Sequence, residues 1–234
     1  MIAKRGCLPE DEKFFSPEAV KTMQKAASHV FYLINEGYDL KQAATFVGNH
    51  FLLSERQRLA VMRSLAAREQ LAEREKKRIE LRSLSGQELW IDGFNTVITL
   101  EVMACGSLLF QGMDGCIRDL AALRGTYRLI PETREAVLRM TEALKAADTG
   151  KIHILLDKPV SNSGRLKTLI AEVGEETHCD YDILVTDDVD RILYQKENVV
   201  SSDSIILDHC KSWVNLTAEC ISEKGCAVLK VWEL

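Results

Sequence analysis

The sequence predicts an α/β fold, a doubly wound and mostly parallel sheet, preceded by a small all-α unit with a long third helix. Three observations predict it. From about Glu88 onward, short apolar runs alternate with amphipathic stretches, the rhythm of strands and helices that cover a sheet on both faces. Before Ser85, apolar residues instead recur at spacings of three and four. The charge also changes sign: residues 1–85 hold 15 Lys+Arg and 11 Asp+Glu (net +4), residues 86–234 hold 15 and 24 (net −9), together the −5 of the chain. Ser83–Gly86 is the natural linker, so the units are 1–85 and 86–234.

In the front unit, Ser16-Pro17-Glu18 reads as an N-cap followed by proline at the first helical position. Val20, Met23, Ala27, Phe31 and Ile34 then mark one helix face, and Gly37 ends it. Asp39 with Gln42 starts a short second helix, and Ser54 with Gln57 is a capping box for the third, which should run to about Arg82. Arg56, Arg63, Arg74 and Arg78 fall on one side of it at 100° per residue. That face reads either as a solvated surface held by ion pairs or as a rail for nucleic-acid phosphates. The second and third helices faintly resemble a helix-turn-helix, but Asn49–Leu53 is a long connection for that motif.

In the back unit the expected strands are 88–91, 152–156, 181–185, 198–200 and 227–231. Helices are expected over 96–104, 133–147, 164–173 and around Ile205–Leu207, while 105–128 is glycine-rich and hard to assign.

Composition excludes several classes. With 46% hydrophobic and 28% charged residues, the chain resembles folded proteins with a real core. No apolar run reaches the ~18 residues of a membrane helix, and Met1–Glu10 lacks a signal-peptide apolar region, so the expected setting is cytoplasmic with no membrane partner. Seven cysteines, an odd number with no CxxC, read as mostly buried free thiols. His178-Cys179 and His209-Cys210 are poor zinc ligands, because adjacent residues on a strand diverge.

Sites in open α/β sheets form beyond the carboxyl ends of the strands. Four expected strands are followed there by aspartates: Asp92; Asp157; Asp187, Asp188 and Asp190; and Asp203. Asp suits turns and N-caps, so one or two would carry no meaning. Four converging carboxylates repel, by about 4 kcal/mol per pair at ~4 Å and an effective dielectric near 20. They must take up protons or a cation, and Mg²⁺ or Mn²⁺ suits carboxylate oxygens. Such a metal activates water and stabilises charge on a phosphate. Beside the acids, Lys158–Lys167 follows a strand and opens a helix. Ser161, Asn162, Ser163 and Arg165 there suit a phosphate, though a plain capped helix start fits equally. The segment is not a GxxxxGK[ST] loop.

These motifs resemble the NYN-type nucleases, relatives of the PIN ribonuclease domains. Ile91-Asp-Gly-Phe-Asn95 is similar to their first-strand motif, Thr186-Asp-Asp-Val-Asp-Arg-Ile-Leu193 to the acidic helix start after a later strand, and Val199-Val-Ser-Ser-Asp203 to the following strand end. The resemblance implies a metal-dependent ribonuclease with a doubly wound sheet. Asp92, Asp187 or Asp190, and Asp203 would be metal ligands, and Asn95 would orient the first of them or the substrate. The role of Asp157 as a fourth acid is not fixed by it. The whole chain also resembles a two-domain prokaryotic family, on Val47-Gly-Asn-His-Phe51 and Ser54-Glu-Arg-Gln-Arg58; that adds architecture and no chemistry. Gly106–Arg128 departs from the simplest NYN pattern. It adds Asp119 and Arg118 to the pocket, or is a lid, or is an oligomer contact such as a homodimer interface.

RNA is the expected partner, and nothing in the sequence is specific to DNA. One alternative is a catalytically silent module that binds RNA or a ribonucleoprotein. Another is a phosphatase with Asp92 as nucleophile, against which stands Phe94 where that chemistry wants a second Asp. A Toprim-like reading of Asp188-Val-Asp190 lacks its Glu after the first strand. His153 reads as a satisfied core histidine and His209 as structural rather than a general acid. Trp90, Trp213 and Trp232 read as core or interface.

Overall fold

The structure, a computed structural model, describes residues 4–121, 125–222 and 228–233. Its front half holds α1 (Asp11–Phe14), α2 (Pro17–Asn35), α3 (Leu40–His50) and α4 (Glu55–Ser64). The sequence signals act as caps: Ser16 accepts from the Ala19 amide, Asp39 from the Gln42 amide, and Ser54 and Gln57 close a reciprocal box.

The long third helix does not form as one piece. After Ser64 the chain runs extended through Leu65 and Ala67 before α5 (Arg68–Lys77). Tertiary contacts break it. Leu65 and Ala66 are buried, and the Ser64 carbonyl accepts from the Met113 amide at 2.8 Å. The start of α5 is capped from a distance, since the Arg68 amide donates to Asn35 Oδ1 of α2 at 2.9 Å. Most of α5 is exposed, but its Arg74–Lys77 side meets α10 and is not open to phosphates. Arg74 is 2% exposed, and Lys77 Nζ donates to the Leu207, Asp208 and Cys210 carbonyls.

The chain continues through β1 (Arg78–Ile79), a 3₁₀ turn over Leu81–Leu84, β2 (Leu89–Asp92), α6 (Gly93–Ala104), β3 (Leu109–Gln111), β4 (Ile117–Arg118) and α7 (Thr133–Ala146). Next come β5 (Ile152–Asp157), α8 (Ser163–Thr177), β6 (Tyr181–Thr186), α9 (Val189–Leu193), β7 (Val199–Val200) and α10 (Ser204–His209). The described chain closes with β8 (Trp213–Val214), α11 (Leu216–Ser222) and β9 (Val228–Leu229). The central sheet has the order β1-β8-β7-β2-β5-β6, and every pairing in it is parallel. Chain order reverses at β2: β5 and β6 extend to one side, β7 and β8 to the other. The crevice beyond the carboxyl ends of β2 and β7 is therefore the switch point where such sheets bind ligands.

Two elements differ from expectation. Arg78–Ile79, placed in the third helix by the sequence, pairs with Trp213–Val214 as the edge strand of the sheet. The last strand joins a separate small sheet, β4-β3-β9, instead of the central one; Ala227 lies outside the described residues. Its strands β3 and β4 lie in the glycine-rich stretch, of which 122–124 are likewise outside the described residues. Phe110, Leu120 and Val231 join the core of α2, α3 and α4, and so seat the helices on the α/β unit. The main core lies between β2, β5 and the helices α6, α7 and α8, with Leu89, Ile91, Ile154 and Leu156 at or near zero exposure. Cys105, Cys116 and Cys210 are buried thiols. No helix among the described residues is long and apolar enough to cross a membrane.

Candidate metal and phosphate site

The turn from β2 into α6 assigns a task to each residue of Asp92-Gly93-Phe94-Asn95. Asp92 caps α6, with Oδ1 accepting from the Asn95 amide at 3.3 Å and Oδ2 from the Ser201 hydroxyl at 2.8 Å. Gly93 lets α6 press against β5: a Cβ there would stand 2.8 Å from the Leu155 carbonyl oxygen and 2.6 Å from a Leu156 methyl. Phe94 packs edge-on against Tyr127, centroids 5.1 Å apart. Asn95 Oδ1 accepts from both the amide (2.8 Å) and the hydroxyl (2.9 Å) of Ser202. Its role is thus to tie the end of β7 to the start of α6.

The end of β7 is pinned from several directions. Ser201 Oγ donates to Asp92 and accepts the Asp203 amide at 3.0 Å. Asp203 caps α10, its Oδ1 accepting from the Ile205 and Ile206 amides, which leaves Oδ2 unspent among the described residues. From behind, Arg118 donates to the Ser202 carbonyl at 2.7 Å.

Asp92, Asp119, Asp157, Asp190 and Asp203 line one cleft of about 390 Å³ with Asn95. Phe94, Ile98, Val160 and Ile206 form its apolar part, and Arg63 of α4 faces it from the helical unit. Arg63 makes no ion pair among the described residues. Five aspartates thus face one lining guanidinium, with Arg118 behind Asp203. Burial pushes the Asp92 carboxyl up to about 7, with Asp203 and Asp157 adding to the rise against the bonds from Ser201 and Asn95. Burial, then the neighbouring Asp190, raises Asp157; burial, then Asp203, raises Asp190. Asp119 is differently held, accepting from Thr99 Oγ1 (3.0 Å) and the Ala121 amide (2.7 Å).

The family model described as "Domain of unknown function (DUF5616)" matches residues 81–219, which take in every acid of this cleft. The chain belongs to the DUF5616 family. A second model, "Protein of unknown function (DUF434)", matches residues 22–77, from α2 to α5, so the two matches meet around β1. An uncharacterized protein of Methanocaldococcus jannaschii is 32% identical over 202 residues, 86% of this chain and 97% of that protein. No solved structure matches the chain.

Several residues singled out in the sequence stand elsewhere in this DUF5616 member. Asp187 does not line the cleft; its side chain is 62% exposed and pairs with Lys158 at 3.3 Å. Asp190, one turn on, faces the acids in its place. Ser161 and Asn162 do not form a free phosphate cradle. Ser161 donates to the Gly125 carbonyl and Asn162 Nδ2 to the Tyr127 carbonyl at 2.6 Å, so both fasten residues 125–127 over the start of α8. The Ser163 amide is turned back to Val160, and Arg165 is exposed outside the cleft. Arg56 is committed to Asp11 and to the Gly6 and Leu120 carbonyls.

Arg74 and Arg118 share Asp114, which accepts from Arg74 at 2.7 Å and from Arg118 at 2.9 and 2.6 Å; Arg74 also binds Asp208. Burial alone would raise the Asp114 carboxyl, but Arg118 and then Arg74 outweigh it and hold it below the usual range. This buried network lay beyond sequence reasoning, as did the roles of Ser201 and Ser202. Its one trace is Gly112, where a Cβ would collide with Arg118 at 2.1 Å.

The tryptophans and histidines are structural. Trp213 Nε1 donates to the Arg74 carbonyl at 2.7 Å and Trp232 Nε1 to the Gln111 carbonyl at 2.8 Å. Trp90 stacks on His153, which bonds Glu88 and Asp182 at 2.9 Å each. His209 bonds the Ile205 carbonyl of its own helix.

The cleft's donor set is carboxylate and amide oxygen, with no Cys or His lining it. That chemistry fits Mg²⁺ or Mn²⁺ better than zinc. Among the described residues no three such side chains already stand in a ligating arrangement. Asp92 accepts one bond on each oxygen, from Asn95 and Ser201, and keeps a lone pair on each; binding by the full set requires the carboxylates to draw together.

Proposed function

We propose that this chain is a metal-dependent ribonuclease whose cleft between β2 and β7 holds Mg²⁺ or Mn²⁺ against a phosphodiester. The observation that supports it is the crowding of like charge. Asp92, Asp157 and Asp190 are all driven toward protonation by burial and by one another. A protein that needed these side chains only as caps would gain nothing from assembling them, whereas a dication relieves the repulsion. Once bound, such an ion supplies charge neutralisation at the phosphate and a more acidic water.

The protein's own residues divide the work. Asp92, Asp157, Asp190 and Asp203 supply oxygen ligands. Asn95, through Ser202, sets the distance between the Asp92 and Asp203 turns. Arg63, at the margin of the cleft, is the cation open to the RNA backbone.

The test is cleavage of small RNA and of mRNA by metal-stripped protein, with and without Mg²⁺ or Mn²⁺. The expected result is metal-dependent cutting that Asp92→Asn and Asp203→Asn, shown to be folded, lose by at least about 100-fold. RNA binding without cutting under any metal would replace this reading with that of a silent RNA-binding module.

A further inference from the structure

A second cleft opens beside the acidic one, and its lining is of opposite character. It measures about 310 Å³ and lies between the helical unit and the turn from β7 into α10. Leu40, Met62 and Leu65 form its apolar side, and Ser202 and Ser204 lie opposite. Arg63 and Asp203 line both clefts, so the two adjoin. Arg74 and Arg118 also reach this second cleft, but Asp114 and Asp208 already match them. Arg63 alone of these three guanidinium groups has no carboxylate partner among the described residues. It lies in the last turn of α4, which stops at Ser64, one residue later.

We propose that this second cleft is a subsite for the nucleotide that flanks the cleaved phosphate of a single-stranded RNA. The phosphate of that nucleotide pairs with Arg63, and its base lies on Leu40, Met62 and Leu65. An unpaired strand follows from the lining, since only an unpaired base can lay its face on apolar side chains. The charge pattern gives the direction of capture. A polyanion is repelled by the bare acids and drawn to the guanidinium next to them. The helical unit thereby takes a share of the binding, through the end of α4 rather than through the charged length of α5. The inference rests on the nuclease reading for which phosphate is cut, but the binding it predicts can be measured without cutting.

The experiment uses the full chain carrying Asp92→Asn to suppress turnover and a fluorescent 12-nucleotide single-stranded RNA of mixed sequence. A DNA strand and an RNA duplex of the same sequence run beside it. Arg63→Gln added to this protein should weaken RNA binding about tenfold and reduce the salt dependence by about one phosphate contact, a slope change near 0.7. Arg63→Lys, which keeps the charge, should recover most of that slope. A strand bearing 5-iodouridine should crosslink to Met62. Equal affinity and equal slope for Arg63→Gln, or crosslinks confined to the start of α8 near Arg165, would overturn the assignment, as would tighter binding of the duplex. The two readings fail separately. Wild-type protein that binds through Arg63 but never cuts sinks the nuclease reading alone. Protein that cuts with KM unchanged in Arg63→Gln sinks the subsite alone.

Discussion

Asp92 and Asp114 are both buried aspartates, 6% and 8% exposed, and both lie close to the Ser201–Asp203 strand end. Their surroundings differ in one respect. Asp114 has two guanidinium groups on its oxygens and is held ionised; Asp92 has a hydroxyl, an amide and other carboxylates, and is driven toward the neutral acid. Arg118 joins the two regions, giving its guanidinium to Asp114 and to the Ser202 carbonyl. A charge cluster with its counter-charge built in is a brace. A cluster short of counter-charge is relieved by a cation. Arg74 and Arg118 are spent on the brace, and Arg63 alone of the arginines lines the acid cleft.

The comparison is broken most severely by removing the brace. Asp114→Ala leaves Arg74 and Arg118 buried and unpaired, and should cost about 3–5 kcal/mol in urea denaturation. A loss below 1 kcal/mol would mean that the network is not what holds the β7 end.

Removing the uncompensated charge should act in the opposite direction. The Asp92 carboxyl is raised in the folded state, from 3.8 to about 7, so its ionisation works against folding. The stability it permits is complete below the unfolded value and is lost as pH rises through about 7. Asp92→Asn should therefore gain on wild type between pH 4 and pH 9, by at most about 4 kcal/mol. Melting curves across that range read it; a difference that does not change with pH contradicts it.

Cation binding should produce a smaller stabilisation with the same pH trend. Mn²⁺ at about 100 times its dissociation constant should stabilise wild type by about 2.7 kcal/mol. The gain should be larger at pH 8 than at pH 5, where protons compete for the raised carboxyls, and should vanish in Asp92→Asn with Asp203→Asn. The least effect is expected from Ser201→Ala. It removes one donor to Asp92, costs about 1 kcal/mol, and should move the midpoint of the Asp92 titration upward.

Much of the acid site was legible because strand ends and N-caps are local signals. Asp92, Asp157 and Asp203 could be placed from the apolar runs before them, and Ser16, Asp39 and Ser54 from the residues they cap. Asp190 could not be separated from Asp187, because α9 has only five residues and its phase depends on how it meets the sheet. The arginines were misread for a related reason. Helical spacing shows that residues share a face, but not whether that face meets solvent or α10. The break after Ser64 left only a faint local mark, Gln70 accepting the Ala67 amide at 3.1 Å, since its other cap is Asn35 and its lock is the Met113 amide, both distant in sequence. The two-residue strands β1 and β8 are too short for periodicity to reveal.

The central claim, that the carboxylates of the cleft between β2 and β7 outnumber the cations facing them and take a dication, is tested most directly by calorimetric titration of metal-free protein with Mn²⁺ at pH 7. Two buffers of different ionisation enthalpy allow proton release to be counted. The account predicts saturable binding with about half a proton or more released per ion, because Asp92 is partly protonated there, and loss of both in Asp92→Asn with Asp203→Asn. No binding, or binding that this double variant retains unchanged, would contradict it.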